Sequence, residues 1–143
     1  MKKLILTIAF ASPLLAFAQK PKLVDSITPV KTQLVNEWRY KYYDEFGVKT
    51  YADSNQLADK IIFHDDGTYD MTQNSAVSHG AWKYDPASYF LFMTDSYTKQ
   101  TKNYRLGGIT KSQLALKDQD PKTLISKILY YKKNIPEPAP GQN

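Results

Sequence analysis

Trp38, Tyr40 and Tyr42 alternate with Arg39, Lys41 and Tyr43. A β-strand produces this period of two, because successive side chains point to opposite faces of the sheet. The spacing predicts a strand that opens at Val35 and turns at Asp44-Glu45-Phe46-Gly47. A second strand is expected over Val48 to Tyr51, before a polar stretch from Ala52 to Asp59 that shows no period. Lys60 to His64 reads as strand again, and Asp65-Asp66-Gly67 joins it to Thr68–Thr72. Glycine tolerates the left-handed backbone of a tight hairpin, and the aspartate before it can bond its own backbone.

The same rhythm continues to the end of the chain. Val77 to Tyr84 holds Gly80-Ala81-Trp82 and stops at Asp85-Pro86-Ala87-Ser88. Tyr89 to Thr94 is apolar at nearly every position, so both faces are expected to find cover. Gln100 to Leu106 and Gln113 to Lys117 follow, with a bend expected at Gly107-Gly108 and a turn over Asp118 to Pro121. The final apolar segment admits two readings. Asp120 and Pro121 suit a helix start, whereas Ile128-Leu129-Tyr130-Tyr131 has strand composition, and a strand over Ser126 to Lys133 is favoured. A short helical turn is expected near Thr32 to Val35. About eight short strands separated by turn residues predict an all-β fold, and sequential hairpins favour a small up-and-down antiparallel barrel. Closure removes the exposed strand edges that invite aggregation.

The first residues belong to a different pattern. Met1-Lys2-Lys3 precedes an apolar run, and Ala16 and Ala18 form a small-x-small ending, as in a secretory signal peptide. Pro13 and the polar Gln19-Lys20-Pro21-Lys22 cut the run short of the roughly 20 apolar residues a spanning helix needs. Residues 1–18 are therefore expected to be a signal peptide, 19–33 a leader, 34–134 the barrel and 135–143 a proline-rich disordered tail. The expected destination is the periplasm or the outside of the cell, with no stable membrane insertion. Cysteine is absent, so an exported chain must rely on its apolar core instead of disulfides.

Charge adds little. The formal net charge is +5, two units of which sit on Lys2 and Lys3. The remaining basic residues are spread along the chain without the clustering of a nucleic-acid patch, and no nucleic-acid partner is expected. Arg39, Lys41, Arg105 and Lys127 alternate with apolar residues and are expected to face solvent. No inward arginine offers itself for a ligand carboxylate.

Catalytic and metal readings are weak. His64 and His79 are the only histidines, no Gly-x-Ser-x-Gly elbow occurs, and Ser78 and His79 would point to opposite faces of a strand. His64, Asp65, Asp66, Asp70 and His79 lie close in sequence, but Asp65 and Asp66 have a structural role in the hairpin turn. Their spacing fits neither a calcium loop nor a zinc pair. No enzyme activity, cofactor or metal is expected.

The aromatic residues are the informative feature, with 11 tyrosines, 6 phenylalanines and 2 tryptophans. Trp38, Tyr40, Tyr42, Phe63, Tyr69, Trp82 and Tyr104 are expected to face inward and to form the ligand-binding set, with Met71, Tyr84 and Tyr130 on the same inner face. An eight-stranded barrel is only just wide enough to be filled by side chains or to hold one small ligand. Two readings therefore stay open. One is a cavity walled by rings whose hydroxyls orient a small apolar or aromatic ligand. The other is a packed core that acts on an unidentified protein partner through its loops. In either case a monomer is expected.

The motifs carry a family resemblance. Asn36-Glu37-Trp38-Arg39-Tyr40, Ile61-Ile62-Phe63-His64-Asp65-Asp66-Gly67-Thr68-Tyr69, Gly80-Ala81-Trp82-Lys83-Tyr84, Tyr89-Phe90-Leu91-Phe92, Tyr104-Arg105-Leu106, Leu114-Ala115-Leu116 and Tyr130-Tyr131-Lys132-Lys133 follow in that order. Together they resemble the lipocalin-like domains common in secreted proteins of Bacteroidetes. The resemblance implies an up-and-down barrel in which Trp38 is the tryptophan of the opening strand and Gly80 with Trp82 the mid-barrel Gly-x-Trp. It departs at Asn36, where lipocalins usually carry glycine. It implies no particular ligand.

Overall fold

The computed structural model describes residues 22–23 and 29–135. The expected signal peptide and the tail beyond Ile135 lie outside the described residues. Ten strands and one short helix follow in order: β1 (Lys22–Leu23), α1 (Val30–Leu34), β2 (Glu37–Glu45), β3 (Val48–Tyr51), β4 (Lys60–Phe63), β5 (Thr68–Gln73), β6 (Ala76–Asp85), β7 (Phe90–Asp95), β8 (Thr101–Ile109), β9 (Gln113–Gln119) and β10 (Ser126–Lys133). The last segment is strand and not helix.

Eight strands close into an antiparallel barrel in the order β2, β4, β5, β6, β7, β8, β9, β10 and back to β2. The seam is the β8–β9 pairing, which runs from Arg105↔Lys117 to Ile109↔Leu114. Gly107 is the bulged residue there, between Leu106 and Gly108. The expected bend at Gly107-Gly108 is thus a bulge within β8, and the strand continues to Ile109. A side chain at Gly107 would lie 3.3 Å from the Ala115 carbonyl oxygen, so glycine lets the seam stay narrow. Outside the ring, β3 forms a hairpin with β2, and β1 pairs in parallel with β8.

The segment before Leu34 takes part in the fold. Leu34 is fully buried, Val30 packs against the core, and the Trp38 indole Nε1 donates a 2.8 Å hydrogen bond to the Leu34 carbonyl. The indole thus satisfies a helix-end carbonyl and holds α1 across one end of the barrel. Trp82 does the equivalent for the β4–β5 hairpin, donating from Nε1 to the His64 carbonyl at 3.0 Å. In that turn Gly67 takes a φ of 86°, and Asp66 Oδ1 accepts from the Thr68 amide at 2.9 Å. The reading of Asp66-Gly67 as a tight turn holds.

Trp38, Phe63, Leu34, Ile61, Leu91, Ile109, Leu114 and Leu116 are the largest fully buried side chains. Phe63 meets Trp82 edge to face, ring centroids 5.2 Å apart. These groups fill the half of the barrel next to α1.

Gly80 shows how tightly β6 is held. A Cβ placed there would fall 2.0 Å from the Thr94 carbonyl oxygen and 2.8 Å from the Tyr69 ring. Backbone cannot retreat from such a contact. Gly80→Ala is expected to destabilise the fold by about 3 kcal/mol, the upper end of the usual range for overpacking. A urea unfolding curve checks this; an unchanged midpoint would contradict the contact.

Candidate functional site

The opposite half of the barrel is open. Strand direction sets which loops surround the opening: the turns at residues 46–47, 52–59, 74–75, 96–100 and 120–125 all leave from this end. Within it lies a cavity of about 960 Å³ whose floor is Tyr69, Met71, Met93 and Tyr104. A recess of about 210 Å³ adjoins it, backed by Tyr40, Tyr43, Asp59, Leu129 and Tyr131. Met71, Gln73, Lys102, Tyr104, Asp118 and Lys127 border both spaces. Among the eight largest fully buried side chains only Ile61 reaches either cavity. The bore is solid below and hollow above.

A bulge shapes the wall. Tyr40 pairs with Tyr131, but Tyr42 pairs with Tyr130, which leaves Lys41 unmatched on β2. An unmatched residue reverses the alternation beyond it. Trp38 and Tyr40 point inward, and beyond the bulge the inward residues are Tyr43 and Glu45. Tyr42 therefore lies on the outer surface, stacked on Tyr130 at 4.6 Å and beside Tyr51 at 5.3 Å. The expectation that Tyr42 and Tyr130 face inward is corrected by this shift.

The other aromatic candidates divide by height. Tyr69 and Tyr104 line the cavity, and Tyr40 lines the recess, edge-on to Tyr131 at 5.7 Å. Trp38, Phe63 and Trp82 face inward in the filled half and border neither space. Met71 lines both spaces, and Tyr84 packs against the core.

Charged groups complete the wall, and the period of two along single strands does not bring them together. Lys102 lies two residues before Tyr104 on β8, and its Nζ is 2.9 Å from Asp118 Oδ2. Burial draws the Lys102 ammonium down, but neighbouring Tyr104 and the bond to Asp118 outweigh it, and its pKa is raised. Lys127 is paired in register with Asp118 and sits 4.9 Å from the centre of the Tyr43 ring. Lys127 thus faces the cavity, against the expectation that it faces solvent. Asp118 belongs to β9, beyond the expected strand end at Lys117. Parity with Tyr104, with Leu116 and with Leu129 was the available signal.

Burial raises the Tyr104 phenol and raises that of Tyr131 well above its ordinary value, so both stay neutral. Burial also raises Asp59, despite the 2.8 Å hydrogen bond it accepts from the Asn74 amide. Among the described residues, every fully buried side-chain nitrogen or oxygen has a hydrogen-bond partner. The rim carries exposed apolar side chains at Phe46, Leu57, Val77, Tyr97 and Leu124.

The histidines lie elsewhere. Ser78 lines the cavity while His79 sits on the outer surface, as their adjacency on one strand requires. There Asp70 receives His64 Nε2 at 2.8 Å on one oxygen and His79 Nδ1 on the other. Among the described residues no group of three or more His, Asp or Glu side chains is arranged to hold a metal. No protein-family model matches the chain.

The hydrogen bond from His64, then that from His79, holds the Asp70 carboxyl below its ordinary value of 3.8. A carboxylate lowered on folding stabilises the folded state above its unfolded pKa, and that contribution is lost as pH falls through the folded value. Asp70→Asn is therefore expected to lower stability near neutrality and to flatten its decline below about pH 4. Thermal melts across the acid range check this, and an acid limb as steep as that of the parent would refute it. No curated protein matches the chain either.

Proposed function

We propose that the chain is an exported, lipocalin-like binding protein that holds one small molecule in the open half of its barrel. One observation carries the proposal: the cavity of about 960 Å³, floored by Tyr69, Met71, Met93 and Tyr104 and walled by polar groups. Concave sites of roughly 300–1,000 Å³ with an apolar surface and a few converging polar groups are the usual form of small-molecule sites. Export is supported by the basic start, the apolar run and the Ala16-x-Ala18 ending. Membership in the lipocalin-like group rests on the order of motifs around Trp38, Gly80 and Trp82.

Binding is favoured over catalysis because His64, His79 and Asp70 engage one another on the outer surface, away from the cavity. The second reading, a module that works through its loops, draws on the apolar tips at Phe46, Leu57, Tyr97 and Leu124. It predicts a protein partner that is lost when those tips are made polar while the cavity stays intact.

The test places a ring over the floor of the cavity. Ser78 points into it from β6 beside Tyr69 and Met93, so Ser78→Trp covers the apolar floor without touching the filled half. The parent protein is expected to bind the neutral dye N-phenyl-1-naphthylamine saturably at one site. The variant is expected to bind it at least about tenfold more weakly, as for loss of a contact surface of aromatic size. Equal dye binding by both proteins would remove the cavity as the site.

A further inference from the structure

Six charged side chains line the cavity; Asp95 and Asp120 accept from the turn amides of Tyr97, Thr98 and Lys122, and the other four stand one each on four adjacent strands near the mouth. In spatial order these are Glu45 on β2, Lys127 on β10, Asp118 on β9 and Lys102 on β8. The pairing of Ile128 with Asp44 makes Lys127 the cross-strand neighbour of Glu45, and Lys127 pairs directly with Asp118. The signs alternate around half the circumference. Neighbouring strands lie about 4.8 Å apart, so each charge has an opposite charge within side-chain reach. Yet only Lys102 and Asp118 close into an ion pair, and among the described residues neither Glu45 nor Lys127 forms one. The Lys127 ammonium rests on the Tyr43 ring instead.

We propose that this belt recognises a compact zwitterion, of the class of free amino acids and short peptides, with its ammonium toward Glu45 and Asp118 and its carboxylate toward Lys127. The proposal rests on the binding role given above and adds the chemistry of the guest. Three features select this class. A simple anion on Lys127 would meet the carboxylates of Glu45 and Asp118 on either side, whereas a guest carrying both signs finds a partner for each. A long acyl chain finds no apolar bore to descend, because Trp38, Phe63, Leu91, Leu114 and Leu116 fill it below the floor, and above the floor it would lie against Gln73, Ser78 and Asp118. The floor itself, Tyr69, Met71, Met93 and Tyr104, suits an aromatic or short aliphatic side chain.

The experiment titrates the full chain with the dipeptide glycyl-phenylalanine, following backbone amides by proton–nitrogen correlation NMR. Parallel titrations use the C-terminally amidated, the N-acetylated and the doubly capped peptides. The free dipeptide is expected to shift amides of β2, β8, β9 and β10 near the mouth. Capping either end should weaken binding at least about tenfold, the value of one charge-assisted hydrogen bond. Lys127→Met should abolish discrimination between the free and amidated C-termini while preserving that between free and acetylated N-termini. Equal binding of the doubly capped peptide would overturn the zwitterion assignment. So would the absence of any shift from the peptides while the dye still binds and is still excluded by Ser78→Trp, an outcome that leaves the binding role standing. If neither peptide nor dye responds to the cavity, both proposals fall.

Discussion

An eight-stranded barrel encloses a bore scarcely wider than the side chains that line it, so each inward residue either fills the axis or leaves it open. Ring volume here is concentrated at one end. Trp38, Phe63 and Trp82, with Leu91, Leu114 and Leu116, close the half next to α1. Each indole also donates to a backbone carbonyl, at Leu34 and at His64, which satisfies the polar edge of a large buried group. Toward the mouth the inward residues become thinner or polar: Met71, Gln73, Ser78, Met93, Lys102 and Asp118. A filled core and a hollow cup are thus two ends of one bore.

The bulge at Lys41 works within that constraint. One unmatched residue turns Tyr42 out onto Tyr130 and Tyr51 and brings Tyr43 and Glu45 into the interior. Without it Tyr42 and Asp44 would take the inward positions that Tyr43 and Glu45 hold. Half-buried tyrosines stacked across strands are the counterpart on the outer surface, where cross-strand aromatic pairs add to sheet stability.

Charge is handled differently on the two surfaces. On the outer face Asp70 bridges two partly exposed imidazoles, where screening by water keeps such contacts modest. At the mouth the groups are partly desolvated, and the Tyr104 phenol, raised by burial, stays neutral beside the Lys102 ammonium. A lower local dielectric strengthens the Lys102–Asp118 attraction and equally penalises any charge left without a partner. An interior wall of alternating sign is therefore tolerable.

How much of this was written in the chain can be judged residue by residue. Strand positions followed from the period of two and from turns such as Asp66-Gly67, because both are local properties. The same alternation put Tyr69 and Tyr104 on the inner face, where they now line the cavity. Tyr42 escaped it, since a bulge is a property of how two strands pair and leaves no mark in either strand alone. Lys127 and Lys102 were in step with Leu129 and Tyr104, but hydropathy argues that lysines face water, and only the open mouth makes an inward ammonium affordable. Sequence by itself determined the alternation of faces along each unbroken stretch of strand. Height along the axis belongs to the tertiary structure, because strand stagger around a closed barrel sets it, and that height alone separates the plugging rings of Trp38 and Phe63 from the floor at Tyr69 and Tyr104.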